Sequence, residues 1–403
     1  MTKHKFAVQL AAFATAFVLH AGPAVAEIER VIFSGFGTLG VVATDVDELQ
    51  FVRIGIEAEN PSQTNFGSDS VLGVQGNFGF GNGAEAVVQV LSRRTTKSNY
   101  TPRAALAFIS FAASPELTLR TGRLRVPAFM LSDSLDINYA YPWVRPPVEV
   151  YTLNPFADLD GVDVLYRTRI ADVDLELHPY FGRSRVDIFR HGHASLSQLR
   201  GLNIGLSRDE LSLHLGYSRA RLNLRWGDPD FDQLKLNLNS FPGGQRMLAE
   251  MEGNNASASF ISAGFHWDGN PWQLIGEYAI RRTSAFVNSA SGWHLTIGRH
   301  IRNTLPYLKL AHSRQDSPVV SQKLSMGLSA IDAFNASRNS SQQSVSAGLR
   351  WDLHPSAALK VELARNRIAQ DGWGPFHPRK DTQSTRVSGR TVNTLSLTVD
   401  VVF

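Results

Sequence analysis

The segment Ser344–Leu353, SVSAGLRWDL, decides the fold, because it alternates without a break. Val345, Ala347, Leu349, Trp351 and Leu353 fall on one face, while Ser344, Ser346, Gly348, Arg350 and Asp352 fall on the other. A period of two is the signature of a β-strand, whose successive side chains point to opposite sides of a sheet. The same pattern recurs in both directions along the chain. Leu395, Leu397, Val399, Val401 and Phe403 alternate with polar neighbours, as do Leu211, Leu213, Leu215 and Tyr217 against Ser212, His214, Gly216 and Ser218. Trp293, Leu295 and Ile297 oppose His294, Thr296 and Gly298.

Alternation also suits a soluble sandwich, so three further features select a membrane barrel. Trp267, Trp272, Trp293 and Trp351 lie on apolar faces near strand ends, where interfacial girdles form. The opposite faces carry full charges, which a wet lumen tolerates and a dry core does not. The chain ends on Phe403, in the apolar register of its last run. The runs number about sixteen, near 31–41, 70–80, 84–94, 103–112, 115–125, 161–169, 172–182, 200–208, 210–220, 258–268, 271–281, 291–301, 304–314, 343–353, 356–367 and 391–403. Each approaches the roughly 9–11 residues with which a tilted strand crosses hydrocarbon. Closure is required, since an open sheet edge in lipid leaves amides unsatisfied. Tight links such as Phe80–Gly83, Asp268–Asn270 and His354–Pro355 alternate with the long stretches 42–69, 126–160, 221–257, 315–342 and 368–390. Short periplasmic turns and long outer loops have this asymmetry.

The first residues read as an address. In MTKHKFAVQLAAFATAFVLHAGPAVAE, Lys3 and Lys5 precede the apolar run Phe6–Leu19, and Ala24-Val25-Ala26 is an A-x-A cleavage site. Residues 1–26 are thus expected to be a cleaved signal peptide, and 27–403 the mature barrel. The 403 residues contain no cysteine, which removes disulfides, thiolate metal sites and Cys nucleophiles. The formal charge is +4, and cleavage leaves 38 basic against 36 acidic residues, too balanced for a nucleic-acid binder.

Asp69–Arg94, DSVLGVQGNFGFGNGAEAVVQVLSRR, resembles the second hairpin of Gram-negative general (trimeric) porins: a Leu-Gly-x-x-Gly strand, a glycine-rich turn and an alternating strand. Arg103–Arg125, RAALAFISFAASPELTLRTGRLR, is similar to the next porin hairpin, which ends in Gly-Arg before an inward-folded third loop. The resemblance covers residues 31–170 most strongly. Two departures stand out: 42–69 is long for a first outer loop, with Glu48–Glu57 alternating like an extra strand, and the third loop lacks the usual acidic motif.

The resemblance implies an all-β, transmembrane antiparallel barrel with its third loop folded inside, in the Gram-negative outer membrane. It implies a water-filled channel for passive diffusion of ions and small hydrophilic solutes, a homotrimer, and contact with outer-membrane lipid and lipopolysaccharide. No cofactor or metal is expected. Val126–Asp160 would narrow the pore. Its length already favours a functional loop, and Pro142, Pro146 and Pro147 stiffen it. The acidic candidates for the constriction are Asp133, Asp136, Glu149, Asp158 and Asp160, and the basic ones facing them are Arg93, Arg123, Arg125, Arg167 and Arg350. Opposed rows of charge would set a transverse field that sorts solutes. Arg120 and Arg123 have opposite parity, so only one faces the lumen unless a bulge intervenes; the Gly-Arg resemblance favours Arg123. Ala105, Ala107 and Ile109 offer small apolar faces for packing between barrels.

Competing readings are weaker. Gly35-Phe36-Gly37-Thr38-Leu39-Gly40 fits a dinucleotide fingerprint, but no helix pattern follows. His191-Gly192-His193 lacks a third ligand at useful spacing, and adjacent His312 and Ser313 point oppositely. The alternatives are a substrate-specific channel for small anionic solutes, an outer-membrane barrel enzyme, and a soluble β-rich binding protein.

Overall fold

The structure is a computed structural model that describes residues 28–53, 64–188, 192–227, 229–325, 328–379 and 386–403. The expected signal peptide and His191 lie outside the described residues. Sixteen long strands form one antiparallel sheet: β1 Arg30–Thr44, β2 Val71–Gly81, β3 Ala84–Arg93, β4 Arg103–Ala112, β5 Leu117–Arg125, β6 Asp158–Ile170, β7 Val173–Ile188 and β8 Gly192–Arg208 make the first half. The second half is β9 Leu211–Arg225, β10 Gly253–Gly269, β11 Trp272–Thr283, β12 Ser289–Arg299, β13 Thr304–Ser317, β14 Gln342–His354, β15 Ala357–Ile368 and β16 Thr391–Val402. Each strand pairs with the next, and β1 pairs with β16 from Phe36↔Val402 to Thr44↔Thr394, which closes the barrel. Gly35 and Phe403 exchange backbone hydrogen bonds at 2.8 and 2.9 Å, so the terminal residue seals the seam. A Cβ on Gly35 would lie 2.3 Å from the Phe403 ring, which explains the glycine there.

The outward faces are greasy. Leu39, Leu72, Ile109, Leu215, Leu308, Val345, Leu363 and Leu395 are all exposed, while their inward neighbours Ser346, Thr398 and Asp400 are buried. That is the reverse of a water-soluble protein, and it is what lipid outside a polar interior demands.

At the end with long connections the pattern inverts. Along β9, Leu211, Leu213, Leu215 and Tyr217 face outward, but so then do Arg219, Arg221, Asn223 and Arg225. The inward set passes from Ser212, His214, Gly216 and Ser218 to Ala220, Leu222 and Leu224. β7 changes likewise, with Arg183, Arg185 and Asp187 outward and Ile188 inward. Outward arginines recur at Arg200, Arg282, Arg314, Arg365 and Arg367. The inward residues gather in one core with the third loop: Phe129, Tyr151 and Phe156 pack with Leu196, Leu199, Leu222 and Phe260. Strands β7 to β10 therefore run 15 to 17 residues, longer than the spans expected from alternation.

The long connections are also built. Helices α1 Pro229–Asn239 and α2 Gly244–Met251 follow β9, and α3 Ser329–Arg338 precedes β14. They share a small core of Phe231, Met247, Met251, Val320, Ile331 and Phe334. Of the extra strand expected at Glu48–Glu57, Leu49–Phe51 pairs with Phe376–Pro378, and 54–57 lie outside the described residues.

Candidate functional site: a loop pinned across the lumen

Residues 126–157 turn into the barrel, with a 3-10 turn at Asn138–Ala140 and a helical turn at Val148–Tyr151. The inner wall holds this loop at many points. The Trp143 indole donates to Thr296 Oγ1 at 2.9 Å, and Tyr151 donates to Glu277 Oε2 at 2.6 Å. Glu149 accepts from Gln342 and Ser344; the Met130 N–H donates to Glu277. Lys360 is fully buried, donates to the carbonyls of Asn138 and Trp143, and pairs with Asp400 at 2.9 Å. Arg145 reaches Asp69 and Ser396, while Arg350 donates to the carbonyls of Tyr139 and Tyr141 and to Asp352. Buried charges of this sort need partners, and each of these has them. Burial and the neighbouring Glu277 carboxylate both push the Tyr151 hydroxyl up.

The sequence-predicted residues divide into three groups. Asp136, Glu149 and Arg350 anchor the loop. Asp136 takes Arg93 at 2.8 Å and Arg125 at 2.9 Å; burial opposes its charge, but the two guanidiniums prevail and hold the carboxyl well below its usual range. Asp158 and Asp160 are closed into pairs with Arg103 and Arg123. Arg167 meets Glu176 near the tight-turn end. Among the expected acids, Asp133 stands exposed, and its charge acts on Arg120 and His214 of the facing wall. The expected opposed rows are thus replaced by tight ion pairs, because burial makes an unpaired charge costly.

The parity question resolves toward Arg120. Arg120 shares the inward face with buried Asp163 and His178, donating to Asp163 at 2.8 and 2.6 Å. Arg123 stands opposite exposed Ala107 and pairs with Asp160, whose other neighbour is exposed Arg183, so it sits on the outer lip. Gly-Arg resemblance misplaced it, since no register shift interrupts β4 and β5. Ala105 is a second correction: a bulge opposite Gln89/Val90 turns it inward and buries it, while Ala107 and Ile109 stay outward.

The pairing of β4 with β5 stops at Ala107↔Arg123, whereas β5 continues with β6 to Arg125↔Asp158. The wall parts there, bridged by the Arg103–Asp158 pair. Beside this split lies a chamber of about 430 Å³, lined by six arginines (53, 93, 94, 103, 123, 185) against four aspartates (136, 158, 160, 187). A recess of about 500 Å³ opens at the tight-turn end among Arg167, Asp174, Glu176, Ser207 and Ser212. The buried lumen pairs Lys360–Asp400, Lys309–Glu362 and Arg145–Asp69 were not singled out from sequence. For Lys360, Asp400, Lys309 and Glu362, a charge on the polar parity of an alternating run was the available signal; Arg145 lies in the third loop and had none.

No protein-family model and no curated protein matches the chain. Solved structures do. An in-vitro folded outer membrane protein of Vibrio cholerae, OmpT in its trimer form, aligns with TM-score 0.54 at 11% identity over 93% of this chain and 99% of that one. The anion-selective porin from Comamonas acidovorans gives 0.53 at 12% over 93% and 99%. The outer membrane channel DcaP of Acinetobacter baumannii gives 0.51 at 11% over 93% and 97%. The fold is therefore the sixteen-stranded barrel of outer-membrane porins.

Proposed function

We propose that this chain is an outer-membrane channel that lets ions and small hydrophilic solutes diffuse passively, rather than an enzyme. One observation carries the reading. An apolar outer belt encloses a polar lumen, with a pinned loop between a basic chamber and a recess at the opposite end. An apolar belt has no place in water, and a polar interior with open space on both sides of a pinned loop suits a path for hydrophilic solutes. Likeness in fold to proteins titled porins and channels supports the same conclusion. Arg93, Arg103 and Arg120 with Asp133 are the proposed selectivity residues, and the excess of arginine in the chamber favours anions. The alternative of a channel specific for small anions rests on the same excess.

Met1–Ala26 is proposed to direct export and be removed. Outward arginines above the belt suit the anionic headgroups of outer-leaflet lipid, and a homotrimer is proposed with Ala107 and Ile109 available for packing. Purified protein in a planar bilayer should give stable ohmic steps, with a reversal potential in a salt gradient showing anion preference. Replacing Arg103 and Arg120 together by Gln should shift that potential toward cations. A barrel that never conducts would remove the proposal, and an unmoved potential would remove the assignment to these arginines.

A further inference from the structure

The apolar core at the long-loop end is not filled. A chamber of about 190 Å³ remains inside the barrel, walled by Leu153, Phe156, Ile188, Leu196, Leu222 and Phe260. A cavity of about 150 Å³ with comparable apolar walls admits a benzene ring. This one has room for a six-membered ring with a small substituent.

Its lining sets the Arg281 guanidinium and the Asn288 amide against the apolar space. The lining contains Arg281, Arg338 and His377 and no Asp or Glu among the described residues. Arg281 spends three of its five N–H groups on neutral oxygens: Nε on the Asn288 carbonyl at 3.0 Å, one Nη on the Leu153 carbonyl at 3.0 Å, and the other on Asn288 Oδ1 at 2.6 Å. No carboxylate of the described residues pairs with it. Asn288 is buried, Oδ1 is taken, and its Nδ2 has no acceptor. Elsewhere in this lumen buried cations are matched, as Lys360 is by Asp400 and Arg145 by Asp69. Here alone among these a guanidinium and an amide donor face an apolar space together, and a buried charge without a counterion is costly.

We infer that this chamber is a binding site for compact amphipathic monoanions, aromatic or cycloaliphatic carboxylates, whose ring lodges among the leucines and phenylalanines while the carboxylate meets Arg281 and Asn288. The site goes beyond passive diffusion. It adds a station where one class of solute dwells, next to the basic chamber with which it shares Thr152, Asn154, Pro155 and Val186.

Binding to the folded, detergent-solubilised protein tests this apart from conduction. Trp226 lines the chamber, so its fluorescence and ligand-observed NMR report occupancy. Benzoate should saturate, while acetate (charge without a ring) and benzyl alcohol (ring without charge) should each bind at least tenfold more weakly. Arg281→Gln should weaken benzoate at least tenfold and leave benzyl alcohol unchanged; Arg200→Gln, on the outer face, should change neither. Equal binding of acetate and benzoate, equal binding of benzyl alcohol and benzoate, or an unaffected Arg281→Gln would each overturn the inference. If Arg281→Gln does not fold, the three-ligand comparison on the unaltered protein decides alone. Conductance in plain salt stands or falls independently of these results.

Discussion

The two halves of β9 share one backbone and have opposite chemistry. From Leu211 to Tyr217 the apolar side chains face out and the polar ones face in; from Arg219 to Arg225 the assignment is exchanged. The pleat does not change at the crossover. What changes is the solvent on each side. In the first half lipid lies outside and hydrogen-bonded polar groups lie inside. In the second half water lies outside, and the inside is closed by the third loop and the helical connections into an apolar core. A strand needs only about 9–11 tilted residues to cross hydrocarbon, so the remainder of a 15-residue strand stands above it. The inversion point marks the edge of the membrane.

The sharpest way to break this comparison is in the polar interior of the membrane half. Lys360→Met strands Asp400 in a fully buried site and should cost about 3–5 kcal/mol, read from urea unfolding in detergent. Tolerance of that change would mean that water reaches Asp400 and that the pair is not a buried one, which would rule out a closed, hydrogen-bonded interior in this half. A paired substitution on β9 sharpens the boundary itself. Leu213→Arg should cost about 2–4 kcal/mol if it faces the bilayer centre, whereas Arg221→Leu should stay within about 0.5 kcal/mol; heat-modifiability on gels gives a quick ranking before unfolding curves. Comparable losses at both positions would erase the inferred lipid level.

The smallest effect concerns the loop's anchorage at Asp136. Its carboxyl is held below the ordinary value by Arg125 and Arg93 despite burial. A depressed folded value stabilises the native state fully above the ordinary carboxylate range, near pH 3.9, and that contribution fades only as pH falls through the folded value. Protease cleavage of the third loop should therefore be flat from neutral pH down to about 4 and rise only in stronger acid. Asp136→Asn should abolish that acid-dependent rise. A rise already at about pH 6, near histidine's ordinary range, would place the control elsewhere.

How much was legible follows from the same inversion. All sixteen barrel strands coincide with runs expected from alternation, and tight links fall where they were placed. The misses lie at one end. The run at 210–220 proves to extend to Arg225, that at 200–208 begins at Gly192, and that at 172–182 continues to Ile188. Each expectation stopped where apolar residues change sides. Ala220, Leu222 and Leu224 still alternate with Arg219, Arg221 and Asn223, so the signal was present, but it was read as the end of a strand. The helices after β9 and before β14 were not expected because Pro229–Asn239 and Ser329–Arg338 carry no strong apolar face and Gly244–Met251 is only 8 residues long.

The candidate site was legible by residue type and not by role. Arg350, Asp136 and Glu149 belong to the loop-and-wall system as expected, yet they hold the loop instead of lining free space. Arg120 and Arg123 could be separated only by knowing which face of β5 meets Asp163 and which meets exposed Ala107.

Period-two alternation, read along one chain, determines that strands exist, how many there are, and that greasy and polar faces are segregated, because each of those is a property of neighbouring residues. It does not determine which charge meets which. Lys360 and Asp400, forty residues apart and on adjacent strands, become partners through the register of that strand pair. Arg281 meets neutral oxygens of Asn288 and Leu153 and, among the described residues, no carboxylate. Which groups meet depends on strand register and on how the third loop packs against the wall, and only the folded barrel sets both.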